Sequence, residues 1–139
     1  MSSSSNKNRI LLAEDNPYDV LLLREAFSAE KLDIEIDCVR DGDQLLGRLL
    51  ELADDGGGQE YGIVLLDFHL PRRSAEEVLL LLNQQQRRVG IPLVILTTMI
   101  SEQHKKRLFS LGVSQVLAKP FDLQGYFTLA QTLSSLLIP

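Results

Sequence analysis

Tryptophan is absent from the 139-residue chain, cysteine occurs once and histidine twice. A single thiol, Cys38, excludes an internal disulfide, and its apolar neighbours lead us to expect a buried strand residue rather than a nucleophile. With two isolated histidines, His69 and His104, there is no Cys/His set of the kind that holds zinc. No run approaches the roughly 18 consecutive apolar residues of a membrane span. The opening Ser/Asn/Lys string has no apolar core and so does not read as a secretory signal. These absences lead to the expectation of a soluble, cytoplasmic protein with a disordered tail over residues 1–8 and one domain over residues 9–139. Positive charge is also scarce: the net charge is −5, and the short basic pieces Arg87-Arg88 and Lys105-Lys106-Arg107 read as solvated helix faces, so nucleic-acid binding is not expected.

What is present is a repeating alternation of short apolar runs and helical patterns. Arg9 to Ala13 is an apolar run that stops at Glu14-Asp15; Asn16 can then cap a helix, Pro17 suits its first turn, and Asp19 sits favourably near the positive helix end. Ile34 to Val39 and a leucine-patterned helix through Leu52 repeat the unit. The polar, glycine-rich stretch Asp54 to Glu60 is read as a mobile surface loop. It is not a phosphate loop, because it leaves a helix and enters a strand, the reverse of the required order. Gly62 to Leu66 is a continuous apolar run, as in a central parallel strand covered on both faces. A capping box at Ser74 and Glu77 predicts a helix to about Arg88. Pro92 to Leu96, Ser101 to Leu111, Val116 to Ala118 and Asp122 to about Leu137 complete the pattern. Five β-then-α units predict an α/β, flavodoxin-like three-layer sandwich around a parallel five-stranded sheet, with strand order 2-1-3-4-5. Ligands of such sheets bind beyond the carboxyl ends of the strands, near the point where the order reverses.

The first polar residues after the strands are therefore the candidates for chemistry: Glu14 and Asp15 after the first, Asp67 after the third, Thr97 after the fourth and Lys119 after the fifth. Three carboxylates at one edge are electrostatically strained and call for a cation. Oxygen donors alone select a hard ion, and Mg²⁺ is the expected cofactor. With Mg²⁺, Lys119 and Thr97 to meet phosphoryl oxygens, Asp67 becomes the expected nucleophile, forming an acyl phosphate labile enough to serve a switch.

From Arg9 to the last helix the chain resembles response-regulator receiver domains. The resemblance rests on Glu14-Asp15, on Leu65-Leu66-Asp67 followed by Leu70-Pro71, on Thr97-Thr98 after a Pro-led apolar strand, and on Lys119-Pro120-Phe121. The stretch Leu-Ala-Glu-Asp-Asn-Pro-Tyr-Asp-Val at residues 12–20, with Leu-Thr-Thr at 96–98, is most similar to the stand-alone regulators encoded with bacterial phytochromes. The resemblance implies Asp67 as phosphoacceptor, Asp15 and Asp67 as Mg²⁺ ligands together with the backbone carbonyl of His69, and Glu14 acting largely through a bound water. It also implies a sensor histidine kinase of the bacterial phytochrome type as partner. Output is expected through protein–protein contacts, with a homodimer formed by the later helices, whose apolar residues exceed one buried face. The chain would be a phosphoacceptor module rather than an enzyme, capable only of Mg²⁺-dependent self-phosphorylation and autodephosphorylation.

Two positions depart from the family pattern. Ser74-Ala75 replaces the frequent Asp-Gly, so the loop after the acceptor is expected to take a different backbone shape with Ser74 as a compensating cap. Val116 stands where many receivers carry an aromatic residue whose rotation reports phosphorylation. Among rival readings, the aspartyl phosphatases and phosphotransferases commonly place a second Asp two residues after the nucleophile. Here that position is His69. A degenerate receiver is disfavoured by acceptor chemistry at all five positions.

Overall fold

The computed structural model describes residues 8–54 and 60–137. The expected tail, apart from Asn8, and the interior of the glycine-rich loop lie outside the described residues. In chain order the elements are β1 (Arg9–Ala13), α1 (Pro17–Ala29), β2 (Glu35–Val39), α2 (Gly42–Asp54), β3 (Ile63–Asp67), α3 (Ala75–Gln84), β4 (Leu93–Thr97), α4 (Glu102–Ser110), β5 (Gln115–Ala118) and α5 (Leu123–Leu137). The five strands form one sheet in the order β2-β1-β3-β4-β5, all neighbours parallel. This is the predicted fold.

Side-chain alternation along the strands divides the interior into two layers. Leu11, Ala13, Val64, Leu66 and Ile95 point to one face, where α2, α3 and α4 contribute Leu45, Leu49, Val78, Leu79 and Leu108. Ile10, Leu12, Leu65, Val94 and Leu96 point to the other, under Leu23 and Phe27 of α1 and Tyr126, Leu129 and Leu133 of α5. Every residue of β3 and β4 is buried, which is why their sequences are apolar without alternation. Register then places the strand ends together: Ala13 pairs with Leu66, Asp67 with Leu96 and Thr97 with Ala118. The polar residues at these ends share one edge of the sheet.

The helix starts follow their capping residues. The Asn16 side chain accepts from the Tyr18 backbone N–H at 2.9 Å with Pro17 in the first turn, and Ser74 with Glu77 forms the predicted capping box of α3. Ala75 is accordingly helical, and the left-handed residue of this loop is Arg72, at φ 70°. Against the same loop, α2 begins at Gly42, whose N–H donates to the Pro71 carbonyl at 3.1 Å. A Cβ at Gly42 would lie 1.9 Å from the Arg73 carbonyl oxygen. Only glycine permits that approach.

Two expectations are corrected. Helix α3 stops at Gln84 rather than near Arg88, because Gln86 turns left-handed (φ 57°) and the Arg87 N–H closes back onto the Leu82 carbonyl at 2.9 Å; the turn carries Val89 into the core. Cys38 is exposed, since β2 is an edge strand in which only Ile36 is buried. Phe121, which follows Lys119-Pro120 in the loop before α5, is 97% exposed.

Candidate functional site

At the carboxyl edge of the sheet, Lys119 at the end of β5 reaches across to β3 and β1. Its Nζ lies 2.8 Å from Asp67 Oδ2, 2.8 Å from Glu14 Oε1 and 3.4 Å from Asp19 Oδ2. The β1, β3 and β5 residues were legible as strand-end groups. Asp19 was not: the sequence shows it only as an acid in the first turn of α1, and the fold gives it a cation.

Glu14 and Asp67 are both buried, at 3% and 5% exposure, whereas Asp15 faces solvent. One carboxylate oxygen from each of the three lies within 4.8 Å of the others. Burial pushes the Glu14 carboxyl above its ordinary pKa, opposed by hydrogen bonds from Lys119 and from the Asn16 backbone N–H, and the neighbouring Asp67 charge adds to the rise. Burial lowers the pKa of Lys119, but the hydrogen bonds to Asp67 and Glu14 outweigh it and the net shift is upward. Lys119 is therefore a fixed positive charge. One ammonium among three clustered carboxylates and Asp19 leaves a local excess of negative charge at short range, where unit charges interact by about 4 kcal/mol at an effective dielectric constant near 20. An all-oxygen set with this excess fits a hard divalent ion.

The backbone N–H of His69 donates to Asp67 Oδ1 at 3.1 Å, so the Asp67 carboxylate is held from both sides, by Lys119 on one oxygen and by its own loop on the other. The His69 ring is exposed and packs edge-on against Phe68 at 4.9 Å. Thr97 is buried, and its Oγ1 donates to the Met99 carbonyl at 3.0 Å. Its hydroxyl is thus engaged by its own loop. Val116 is half-buried against the core on the α4 side, so no aromatic side chain stands behind Thr97 at this position of β5.

The sequence profile of response regulator receiver domains matches residues 10–130. The chain belongs to this family. Response regulator Rcp1 of Synechocystis is 31% identical over 97% of this receiver and 92% of that protein, and a probable methanogenesis regulatory protein of Methanothrix harundinacea, FilR2, is 36% identical over 83% of the receiver and 74% of that protein. Among solved structures, the phosphorylated cyanobacterial phytochrome response regulator RcpA superposes with a TM-score of 0.74 at 27% identity, covering 91% of each chain. The Mn²⁺-bound form of Rcp1 gives 0.70 at 29% identity, again over 91% of each. The receiver is thus a two-component signalling module, similar to regulators that act with phytochromes. Among its described residues no helix is long and apolar enough to cross a membrane.

Proposed function

We propose that this receiver takes a phosphoryl group from a sensor histidine kinase onto Asp67, with Mg²⁺ as the cation. The observation that carries the reading is the ligation of one lysine by the acceptor and its neighbours: Lys119 on Asp67 and Glu14, beside Asp15. Asp15, Asp67 and the backbone carbonyl of His69 would hold the ion, with Glu14 acting through water. Bound there, Mg²⁺ would draw electron density from the phosphoryl group and offset the carboxylate repulsion. An Asp67 carboxylate oxygen forms the new bond to phosphorus as the bond to the kinase imidazole nitrogen breaks, so the imidazole leaves with that electron pair. Lys119 exchanges part of its carboxylate contact for a phosphoryl oxygen. The Thr97 hydroxyl leaves the Met99 carbonyl and donates to another, which moves the loop leading into α4.

A phytochrome-type kinase is the partner favoured by the likeness to Rcp1 and RcpA. We place the pathway in the cytoplasm and its output in protein contacts, including a homodimer, without nucleic-acid binding. The direct test is incubation with Mg²⁺ and acetyl phosphate followed by intact-mass measurement. One added phosphoryl group is expected on the native protein and none on Asp67→Asn; equal labelling of the two removes the assignment.

A further inference from the structure

Of the three carboxylates around Lys119, two are shared with the candidate metal cluster and one is not. Glu14 and Asp67 belong to the group whose oxygens lie within 4.8 Å of one another, together with Asp15. Asp19, at 3.4 Å from Nζ, stands outside it. It sits in the first turn of α1, and its side chain is 21% exposed. Tyr126 of α5 is almost wholly buried, and burial and the Asp19 charge both push its phenol above its ordinary pKa.

We propose that Asp19 is a positioning residue for Lys119, holding the ammonium at Asp67 when a divalent ion draws on Glu14 and Asp67. This rests on the reading of Asp67 as phosphoacceptor. Cation binding and phosphorylation both draw on the Glu14 and Asp67 carboxylates that Lys119 now pairs with. A long, four-carbon side chain that loses those partners gains rotamer freedom and moves toward water. Asp19 is the one ammonium partner that neither event requires. Its ion pair keeps Lys119 at the edge of the sheet, where an oxygen of the incoming phosphoryl group must be met. The arrangement differs from simple charge balance, because Asp19 serves only through Lys119.

The test follows the rate of Asp67 phosphorylation by acetyl phosphate at saturating Mg²⁺ by mass spectrometry, over hours where needed, in native protein and in a Lys119→Gln background. Asp19→Ala is expected to slow the native reaction about tenfold, the equivalent of one charge-assisted hydrogen bond. Asp19→Glu should recover part of the loss. In the Lys119→Gln background Asp19→Ala is expected to change nothing further. Equal slowing in both backgrounds would assign Asp19 a merely structural or global electrostatic role and overturn the proposal, as would an unchanged rate in both. Asp67→Asn, run alongside, separates this outcome from failure of the acceptor assignment: label retained there removes the acceptor, whatever Asp19 does.

Discussion

At the scale of single residues, the chain spends left-handed backbone where glycine would be cheaper. Helix α1 ends with Lys31 at φ 57°, and the following Leu32 N–H bonds back to the Phe27 carbonyl at 3.0 Å. Helix α4 ends in the same bond pattern with Gly112 at the corresponding place. A side chain in that region costs on the order of 1 kcal/mol relative to glycine, partly offset by the greater freedom glycine gives the unfolded chain. Lys31→Gly is therefore expected to raise the unfolding free energy by about 0.5–1 kcal/mol, read as a higher urea midpoint at unchanged slope. A lower midpoint would mean that the lysine side chain has contacts worth more than the strain. The same local logic explains what the sequence could reveal about the site. Glu14, Asp67, Thr97 and Lys119 were legible because each is the first polar residue after an apolar strand, and parallel topology carries all such residues to one edge. Asp19 was not, because its own segment marks it only as a first-turn acid: it meets Lys119 only when α1 and the end of β5 come together in the fold. The exposure of Cys38 was hidden for a related reason, since an apolar neighbourhood in sequence does not say that β2 lies at the sheet edge.

Between elements, the opposite end of the sheet from Asp67 is tied by a polar cluster around Tyr61, just ahead of β3. Its buried hydroxyl donates to Asp37 of β2 at 2.6 Å and accepts from Arg48 of α2 at 2.8 Å, while the Arg9 guanidinium of β1 stacks 4.9 Å from the ring and pairs with Asp37. Burial and the hydrogen bond to Asp37 push the Tyr61 phenol up to about 12 from an ordinary value of 10.0, against Arg48, which lowers it. The folded state holds this proton more tightly than the unfolded state. Its contribution is complete below the unfolded value and is lost as pH rises from 10.0 toward about 12. A rise from 10.0 to about 12 corresponds to on the order of 3 kcal/mol. Tyr61→Phe cannot ionise, so although it is expected to be less stable near neutrality, its urea midpoint should fall less than that of the native protein between about pH 8 and about pH 11. Parallel decline of the two would assign the alkaline loss to other groups. Element boundaries were readable from caps and proline, as at Asn16 and Ser74, but not where tertiary pull decides. The glutamines after α3 have good helix propensity and no breaker, and the helix ends there because Val89 must reach the core.

Over the whole molecule, anchoring is uneven in a way that bears on output. Strands β3 and β4 are buried throughout, whereas no residue of β5 is fully buried and α4 buries Leu108 alone. An element with few buried contacts opens and shifts at low cost, and α4 directly follows the loop in which Thr97 holds the Met99 carbonyl. The same region carries uncovered apolar area: Phe109 on α4 is 47% exposed and Phe121, between β5 and α5, nearly wholly so. The apolar surplus in the last helix has gone mostly inward, with Tyr126, Leu129, Leu133 and Leu137 buried, leaving Leu123 and Leu136 on the two flanks of that stripe. A stable two-fold interface needs about 800 Å² from each partner, roughly a tenth of the 7742 Å² surface. An edge strand flanked by a loosely held helix with an exposed aromatic side chain can supply it, and a shift of α4 on phosphorylation would alter its shape. The expected outcome is a homodimer in sedimentation velocity at micromolar concentration, with or without acetyl phosphate and Mg²⁺, weakened at least tenfold by Phe109→Lys, because burying an unpaired ammonium at an interface costs more than the 1.4 kcal/mol that a tenfold change represents. A native protein that remains monomeric in both conditions would remove the dimer, and a dimer indifferent to Phe109→Lys would move its interface away from α4.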